Sequence, residues 1–191
     1  MPFVDTVPVD EATGDVADLY AEAAARMGYV PNYIRAFSTR PGVYRAWAQL
    51  NGAIKSTSDA RRYELATLAA ARRLRSSYCA LAHGKILAEQ FLDADAVRSL
   101  PAGLDDADVA VMQLAEKVAG DATSVTAADL DRARAVGLSD AEIVDVVLAA
   151  AARCFFSKTL DALGVQPDAI YARLEPGLRD GLTVGRPIEG A

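Results

Sequence analysis

The sequence has little of what most enzymes use for chemistry: its 191 residues include one histidine and two cysteines. It also lacks an excess of basic charge, because its formal net charge is −6 and its pI is about 4.8. A nucleic-acid-binding protein needs a basic face to neutralise phosphates, so we predict no nucleic-acid partner. The short basic cluster Arg72, Arg73 and Arg75 is better explained as cations at a helix C-terminus.

Long apolar runs are missing as well. The longest extends from Ile143 to Phe156; Asp145 and Arg153 interrupt it, and it is too short to cross a bilayer. The N-terminus has neither the basic region nor the apolar region of a secretory signal. We therefore expect a cytoplasmic protein with no membrane partner, in which the two cysteines are free thiols.

Strand signals are also absent, whereas several segments show helical periodicity in a sequence that is 52% hydrophobic. This pattern predicts an all-α fold, with a compact multi-helix domain over residues 1–174. The segment 175–191 is rich in glycine and proline, so we predict an irregular C-terminal tail. Such a tail is either mobile or laid across a neighbouring subunit.

Capping residues define the helices that matter most. Ser58 is placed to cap a helix over 59–74, and a second helix follows over 77–91. Ser139 with Glu142 forms a capping box that opens a long apolar helix.

The only histidine lies close to a cysteine in this pattern. Ser76, Cys79 and His83 are spaced i, i+3 and i+7, which places them on one narrow stripe of a helix. Cys79 lies in the first helical turn, where unpaired N–H groups and the helix dipole favour a thiolate. His83, one turn later, can accept or deliver a proton. If the two helices pack antiparallel, Glu64 on the preceding helix can orient His83, as in a catalytic triad.

Two other interpretations of these residues remain open. A lone cysteine is often a small buried hydrophobe, a lone histidine a satisfied core residue, and a helical glutamate a solvated one. Cys79, His83 and Glu64 are also zinc-ligand types, and three ligands with one open position suit a catalytic metal. Only Cys79 and His83 are close by spacing, so we predict no metal and no cofactor.

The motif resembles that of the carboxymuconolactone decarboxylase superfamily, in its alkylhydroperoxidase D-like, peroxidase-related branch. That motif is a glutamate followed by Cys-x-x-Cys-x-x-x-His. Glu64 matches the glutamate, Cys79 the second cysteine and His83 the histidine, whereas Ser76 stands at the first cysteine. Four further segments resemble the same branch: DEATG at 10–14, GYVPN at 28–32, RP at 40–41 and ALGV at 162–165.

The resemblance implies an all-α fold that assembles into homo-oligomers, as dimers, trimers or hexamers. It also implies that Cys79 attacks a small hydroperoxide while Glu64 and His83 relay the proton. In the family the first cysteine then resolves the oxidised sulfur as a disulfide, and a thiol reductant restores it. Cys79, His83 and Glu64 are therefore the predicted catalytic residues.

Ser76 departs from the family pattern, because a hydroxyl cannot form a disulfide. Cys79 then works with an external thiol, or Cys154 resolves it, or peroxidase activity is lost. The apolar setting of Cys154 favours a core role. Ser76 and Tyr78 are predicted to line the site; alternatively, Ser76 only caps its helix and Tyr78 is an ordinary packed aromatic.

Two other functions compete with the antioxidant peroxidase. The first is acid–base chemistry on a small organic acid, as in the decarboxylases of the superfamily, with His83 and Glu64 acting without a redox thiol. The second is an oligomeric binding protein whose site is degenerate, because function resides in the site and not in the fold.

Overall fold

The structure is a computed structural model that describes residues 2–190. It is helical throughout, with no strand among those residues, as the periodicity predicts. The α-helices are α1 (Gly14–Met27), α2 (Asn32–Ala36), α3 (Pro41–Thr57), α4 (Ala60–Arg73), α5 (Ser77–Gln90), α6 (Ala94–Ser99), α7 (Asp106–Asp121), α8 (Ala127–Ala135), α9 (Asp140–Ala162) and α10 (Pro176–Leu182). Short 3-10 turns occupy Val9–Glu11, Ala122–Ser124 and Ala169–Arg173.

The predicted starts of α5 and α9 agree with the structure, whereas the cap of α4 differs. The capping box at α9 is confirmed: the Ser139 side chain accepts the Glu142 N–H, and the Glu142 side chain accepts the Ser139 N–H. At α4 the cap is Asp59, whose carboxylate accepts the Arg62 N–H at 2.9 Å. Ser58 instead donates its hydroxyl proton to a carbonyl of the last turn of α3, because α3 continues to Thr57.

The centre of the molecule is α4, which packs against α5, α7 and α9. All residues from 63 to 71 are buried, including Leu65 and Leu68. A helix that is enclosed on every side must be apolar or small around its whole circumference, and the alanines of α4 allow its neighbours to approach closely. Within residues 2–190, no helix has the length and apolar character needed to cross a bilayer.

The C-terminal segment is more ordered than its composition predicts. Residues 176–182 form α10, with Pro176 in the first turn and the Glu175 carboxylate accepting the first free N–H groups. Leu182 of α10 packs over Gly84 of α5, where a Cβ atom would lie 2.5 Å from a Leu182 methyl carbon. The prediction of an irregular tail is therefore wrong for 176–182, and this part lies on its own chain. From Thr183 to Gly190 no helix or strand forms.

Candidate active site

A tight break joins α4 to α5 and brings their side chains together. Arg75 adopts a left-handed conformation there, with φ of 57°, and the two helices pack side by side. As a result, Nδ1 of His83 lies 2.6 Å from Oε2 of Glu64. The antiparallel arrangement predicted from sequence therefore brings this carboxylate and this imidazole into direct contact.

Glu64 is 1% exposed, and both of its oxygens have partners. Oε2 meets His83, and Oε1 accepts a hydrogen bond from Nζ of Lys55 at 2.8 Å. Burial raises the pKa of Glu64, but the hydrogen bonds and charges of His83 and Lys55 outweigh it, and the pKa is lowered. Glu64 is therefore ionised at neutral pH. Sequence reasoning missed Lys55, which comes near the end of α3 and has no motif of its own.

His83 is neutral at neutral pH, because its pKa is lowered to about 4. Burial is the main cause, the positive charge of Arg153 adds to it, and Glu64 opposes both. An ionised carboxylate can only accept hydrogen bonds, so Nδ1 of His83 must carry the proton that is shared with Glu64. Nε2 is then left with a free lone pair and is available as a base.

Cys79 lies in the first turn of α5 and is 2% exposed. Nη1 of Arg153, on α9, lies 3.6 Å from its sulfur. Arg153 is 3% exposed; burial lowers its pKa, but Cys79 and Tyr63 raise it by more. The sulfur is thus beside a cation, and it is not enclosed by hydrocarbon alone.

Arg153 is a second site residue that the motif did not identify. One signal in the sequence points to it, since it is a charge within the longest apolar stretch, 143–156. Arginine is almost never fully buried without a partner, so a charge at that position indicates a specific interaction.

The predicted lining residues point elsewhere. Ser76 is the N-cap residue of α5, yet its hydroxyl makes no capping hydrogen bond. It lies instead beside Asp161 of α9, where its hydroxyl partly offsets the burial that raises the pKa of Asp161. Tyr78 donates its hydroxyl proton to Asp168, and its place in the lining of the thiol site stays a prediction.

Asp168 forms a second buried polar centre next to the first. It is 4% exposed and also accepts hydrogen bonds from the Tyr29 hydroxyl, at 3.2 Å, and from the Asn32 N–H, at 2.8 Å. Burial raises the pKa of Asp168, and the hydrogen bonds from Tyr78, Asn32 and Tyr29 offset this only in part.

Cys154 is half-buried and follows Arg153 directly on α9. Successive residues of a helix point about 100° apart, so Cys154 does not share the direction in which Arg153 meets Cys79. Both cysteines are free. Burial raises the pKa of the Cys154 thiol, although Lys158 and Arg153 act in the opposite direction. The geometry gives no support to Cys154 as a resolving cysteine.

The zinc interpretation finds little support in the arrangement of side chains. Among residues 2–190, no three histidine, cysteine, aspartate or glutamate side chains are grouped so that they could hold a metal ion. The partner of the Cys79 sulfur is a cation, which opposes a second positive charge at the same atom.

Comparison with known proteins finds similar proteins by structure only. No protein-family model matches the chain, and no curated protein matches its sequence. One similar structure is an alkylhydroperoxidase AhpD core, an uncharacterised peroxidase-related protein from Ralstonia eutropha JMP134. It is 22% identical with a TM-score of 0.77, over 89% of this chain and 94% of that one.

Two further structures have the same architecture. A peroxidase-related protein from Silicibacter sp. TM1040 is 18% identical with a TM-score of 0.71, over 90% of this chain and 92% of that one. The debrominase Bmp8, as a cysteine-to-alanine variant in complex with 2,3,4-tribromopyrrole, is 13% identical with a TM-score of 0.71, over 94% and 95%. At these identities the comparisons show the fold, and the predicted alkylhydroperoxidase D-like fold is confirmed.

Proposed function

We propose that this chain, which has the fold of the alkylhydroperoxidase AhpD core, is a thiol-dependent peroxidase. Cys79 is the sulfur that reacts, and His83 with Glu64 handles the proton. The observation that most supports this is the 2.6 Å contact between His83 and Glu64, which orients a neutral imidazole one helical turn from the thiol.

The oxidation step uses groups that the site already holds. The Cys79 thiolate attacks the terminal oxygen of a hydroperoxide, a sulfur–oxygen bond forms, and the oxygen–oxygen bond breaks. Nε2 of His83 takes the proton of the attacked oxygen and delivers it to the departing alkoxide, which leaves as an alcohol. The sulfur loses two electrons to the peroxide and becomes a sulfenate, and His83 and Glu64 end as they began.

An external thiol then completes the cycle, because Ser76 has no sulfur to offer. The thiol condenses with the protonated sulfenic acid, and a mixed disulfide and water are formed. A second thiol attacks this mixed disulfide, which frees Cys79 and releases the oxidised reductant as a disulfide.

The burial of the sulfur limits the size of the substrate. Cys79 is almost fully covered, whereas the His83 side chain has 11% of its surface exposed. Access from the His83 side favours hydrogen peroxide or a short alkyl hydroperoxide over a bulky lipid hydroperoxide.

Peroxide consumption with a small thiol donor tests the proposal. Cys79→Ser should abolish turnover and sulfenate formation, and Cys154→Ser should retain both. If Cys79→Ser keeps its turnover of an organic acid and His83→Ala loses it, the chain is instead the acid–base enzyme. If peroxide is not consumed with any thiol donor and Cys79 does not react with small alkylating agents, the site is degenerate and the chain only binds.

A second candidate function comes from the debrominase neighbour, which was crystallised with a bromopyrrole after a cysteine was replaced. A Cys79 thiolate could take a halogen from an aromatic carbon while a proton replaces it on the ring, with an external thiol restoring the sulfur. Release of bromide from a bromopyrrole by wild-type protein, and none by Cys79→Ser, would support this chemistry over peroxide reduction.

The proposal includes a homo-oligomer. Val144, Leu148 and Phe155 are exposed on α9 at spacings of four and seven, so they form one apolar stripe. A second copy of this chain would remove that stripe from water. We expect light scattering to give a mass above the monomer, and Leu148→Glu to reduce it; a wild-type monomer at all concentrations would contradict this.

A further inference from the structure

Arg153 is a buried cation with no carboxylate beside it in the described part of the chain. Its side chain contacts the Cys79 sulfur through Nη1, its Cζ lies 5.7 Å from the centre of the Phe156 ring, and Tyr63 and His83 lie within its electrostatic reach. Within residues 2–190, the acidic groups that stabilise its charge are the Cys79 sulfur and the Tyr63 hydroxyl, and no carboxylate pairs with it. Because a buried charge without a counter-charge is costly, the site favours an anion at Cys79.

Arg153 also has capacity that the resting site does not use. Its Nε is buried and has no hydrogen-bond partner among the described residues. The hydroxyl of Ser157 is likewise fully buried and without a partner there. Buried donors that are left unpaired cost free energy, so they indicate a group that is bound in another state of the site.

The register of α9 against α5 places Arg153 at the Cys79 sulfur, with Ser157 one turn further along α9. Arg153 lies opposite Cys79, and Asp161, two turns later on α9, lies opposite Ser76. Ser157 is one turn from each on the same face of α9, so it falls between these two contacts.

We infer that Arg153 and Ser157 form an oxyanion site for the oxidised sulfur of Cys79, and that Arg153 keeps this sulfur as a thiolate before oxidation. The second half of this inference, the binding of the sulfenate oxygen, rests on the proposed function. When the thiolate takes an oxygen from a hydroperoxide, as balanced above, the negative charge moves from sulfur to oxygen. The Nε–H of Arg153 and the hydroxyl of Ser157 then donate to that oxygen. Arg153 touches the reacting atom and is a catalytic residue.

The site explains how the chain can work without a resolving cysteine. A sulfenate that no neighbouring thiol removes stays exposed to further oxidation until an external thiol arrives. A pair of donors that holds its oxygen lowers its nucleophilicity and keeps it in place, so the oxidised state persists long enough to be reduced.

The experiment uses full-length protein with Cys154→Ser, so that Cys79 is the only thiol. Ultraviolet absorbance of the thiolate is followed against pH, with Arg153→Met and Arg153→Lys compared. Arg72→Met is the matched control, because Arg72 is a partly buried arginine whose side chain bonds to the Val97 carbonyl. We expect Arg153→Met to lose the thiolate signal at neutral pH and to react with iodoacetamide on the order of 10- to 100-fold more slowly. Arg153→Lys and Arg72→Met should keep the signal.

The sulfenate half is measured separately, by trapping sulfenic acid and by mass spectrometry of the sulfinate after excess peroxide. Ser157→Ala should keep the thiolate and accumulate sulfinate several-fold faster than the parent. It also serves as the test if Arg153→Met does not fold. An unchanged thiolate signal in Arg153→Met, or an unchanged sulfinate rate in Ser157→Ala, would overturn the corresponding half. A thiolate that depends on Arg153 in a protein that consumes no peroxide would leave the first half standing and reject the proposed function.

Discussion

Glu64 and Asp168 are two buried carboxylates in one small helical protein, and their environments shift them in opposite directions. Glu64 contacts His83 and the ammonium of Lys55, and its pKa is lowered. Among the described residues, Asp168 accepts hydrogen bonds from neutral donors alone, from Tyr78, Tyr29 and the backbone of Asn32, and its pKa is raised.

The difference shows what burial requires of a carboxylate. Neutral hydrogen bonds satisfy the oxygens of Asp168 but do not compensate for its charge, whereas a cation and a polarised imidazole do so for Glu64. The hydrogen bonds of Asp168 connect the 3-10 turn Ala169–Arg173 to α2 and α5. The contacts of Glu64 keep a negative charge beside the His83 imidazole, as a proton relay requires.

The largest effect on turnover should come from replacing the Glu64 carboxylate by its amide. Glu64→Gln removes the charge that fixes the tautomer of His83, so we expect kcat/KM for peroxide to fall on the order of 100-fold or more. Asp168→Asn is the matched control, and its turnover should stay close to that of the wild type. Equal losses in both variants would mean that Glu64 acts only through stability.

The next effect is on acid stability. The pKa of His83 is 6.5 when unperturbed and about 4 in the folded protein. The unfolded chain therefore binds a proton first, and folding stability should fall as pH drops from 6.5 to 4, by up to about 3 kcal/mol. Glu64, whose folded pKa is also lowered, adds to this loss below its unfolded value of 4.5.

Urea unfolding of wild type and His83→Asn across this pH range measures the effect. The variant keeps a donor for Glu64 but does not titrate, so its stability should depend less on pH. Asp168→Asn should show a smaller change of opposite sign. Because folding raises the pKa of Asp168, the wild type gains stability in acid and loses that gain as pH rises through the folded value. Identical pH slopes in all three proteins would remove the distinction between the two carboxylates.

Much of the fold and part of the site could be predicted from the sequence, because they depend on local patterns. The capping box at Ser139 and the periodicity of α4 and α5 need only neighbouring residues. The spacing of Cys79 and His83 fixes their separation on any helix, and the family resemblance supplied Glu64.

What the sequence did not predict depends on contacts between distant segments. Arg153 contacts Cys79 although 74 residues separate them in the sequence, and no spacing rule links the two. Lys55 reaches Glu64 across the junction of α3 and α4. The Tyr78 hydroxyl donates a hydrogen bond to Asp168, which lies in the segment after α9. The helix in 176–182 forms because its leucines are buried against apolar neighbours, and this packing outweighs the low helix propensity of its glycines.

The packing of Leu182 on α5 has a consequence for the synthesis of the protein. Leu182 occupies the space that Gly84 leaves empty on α5, the helix that bears Cys79. A polypeptide that ends before residue 176 would expose to solvent the apolar surface of α5 that Leu182 covers. We therefore expect incomplete chains to be insoluble or degraded, so that only full-length molecules accumulate in folded form.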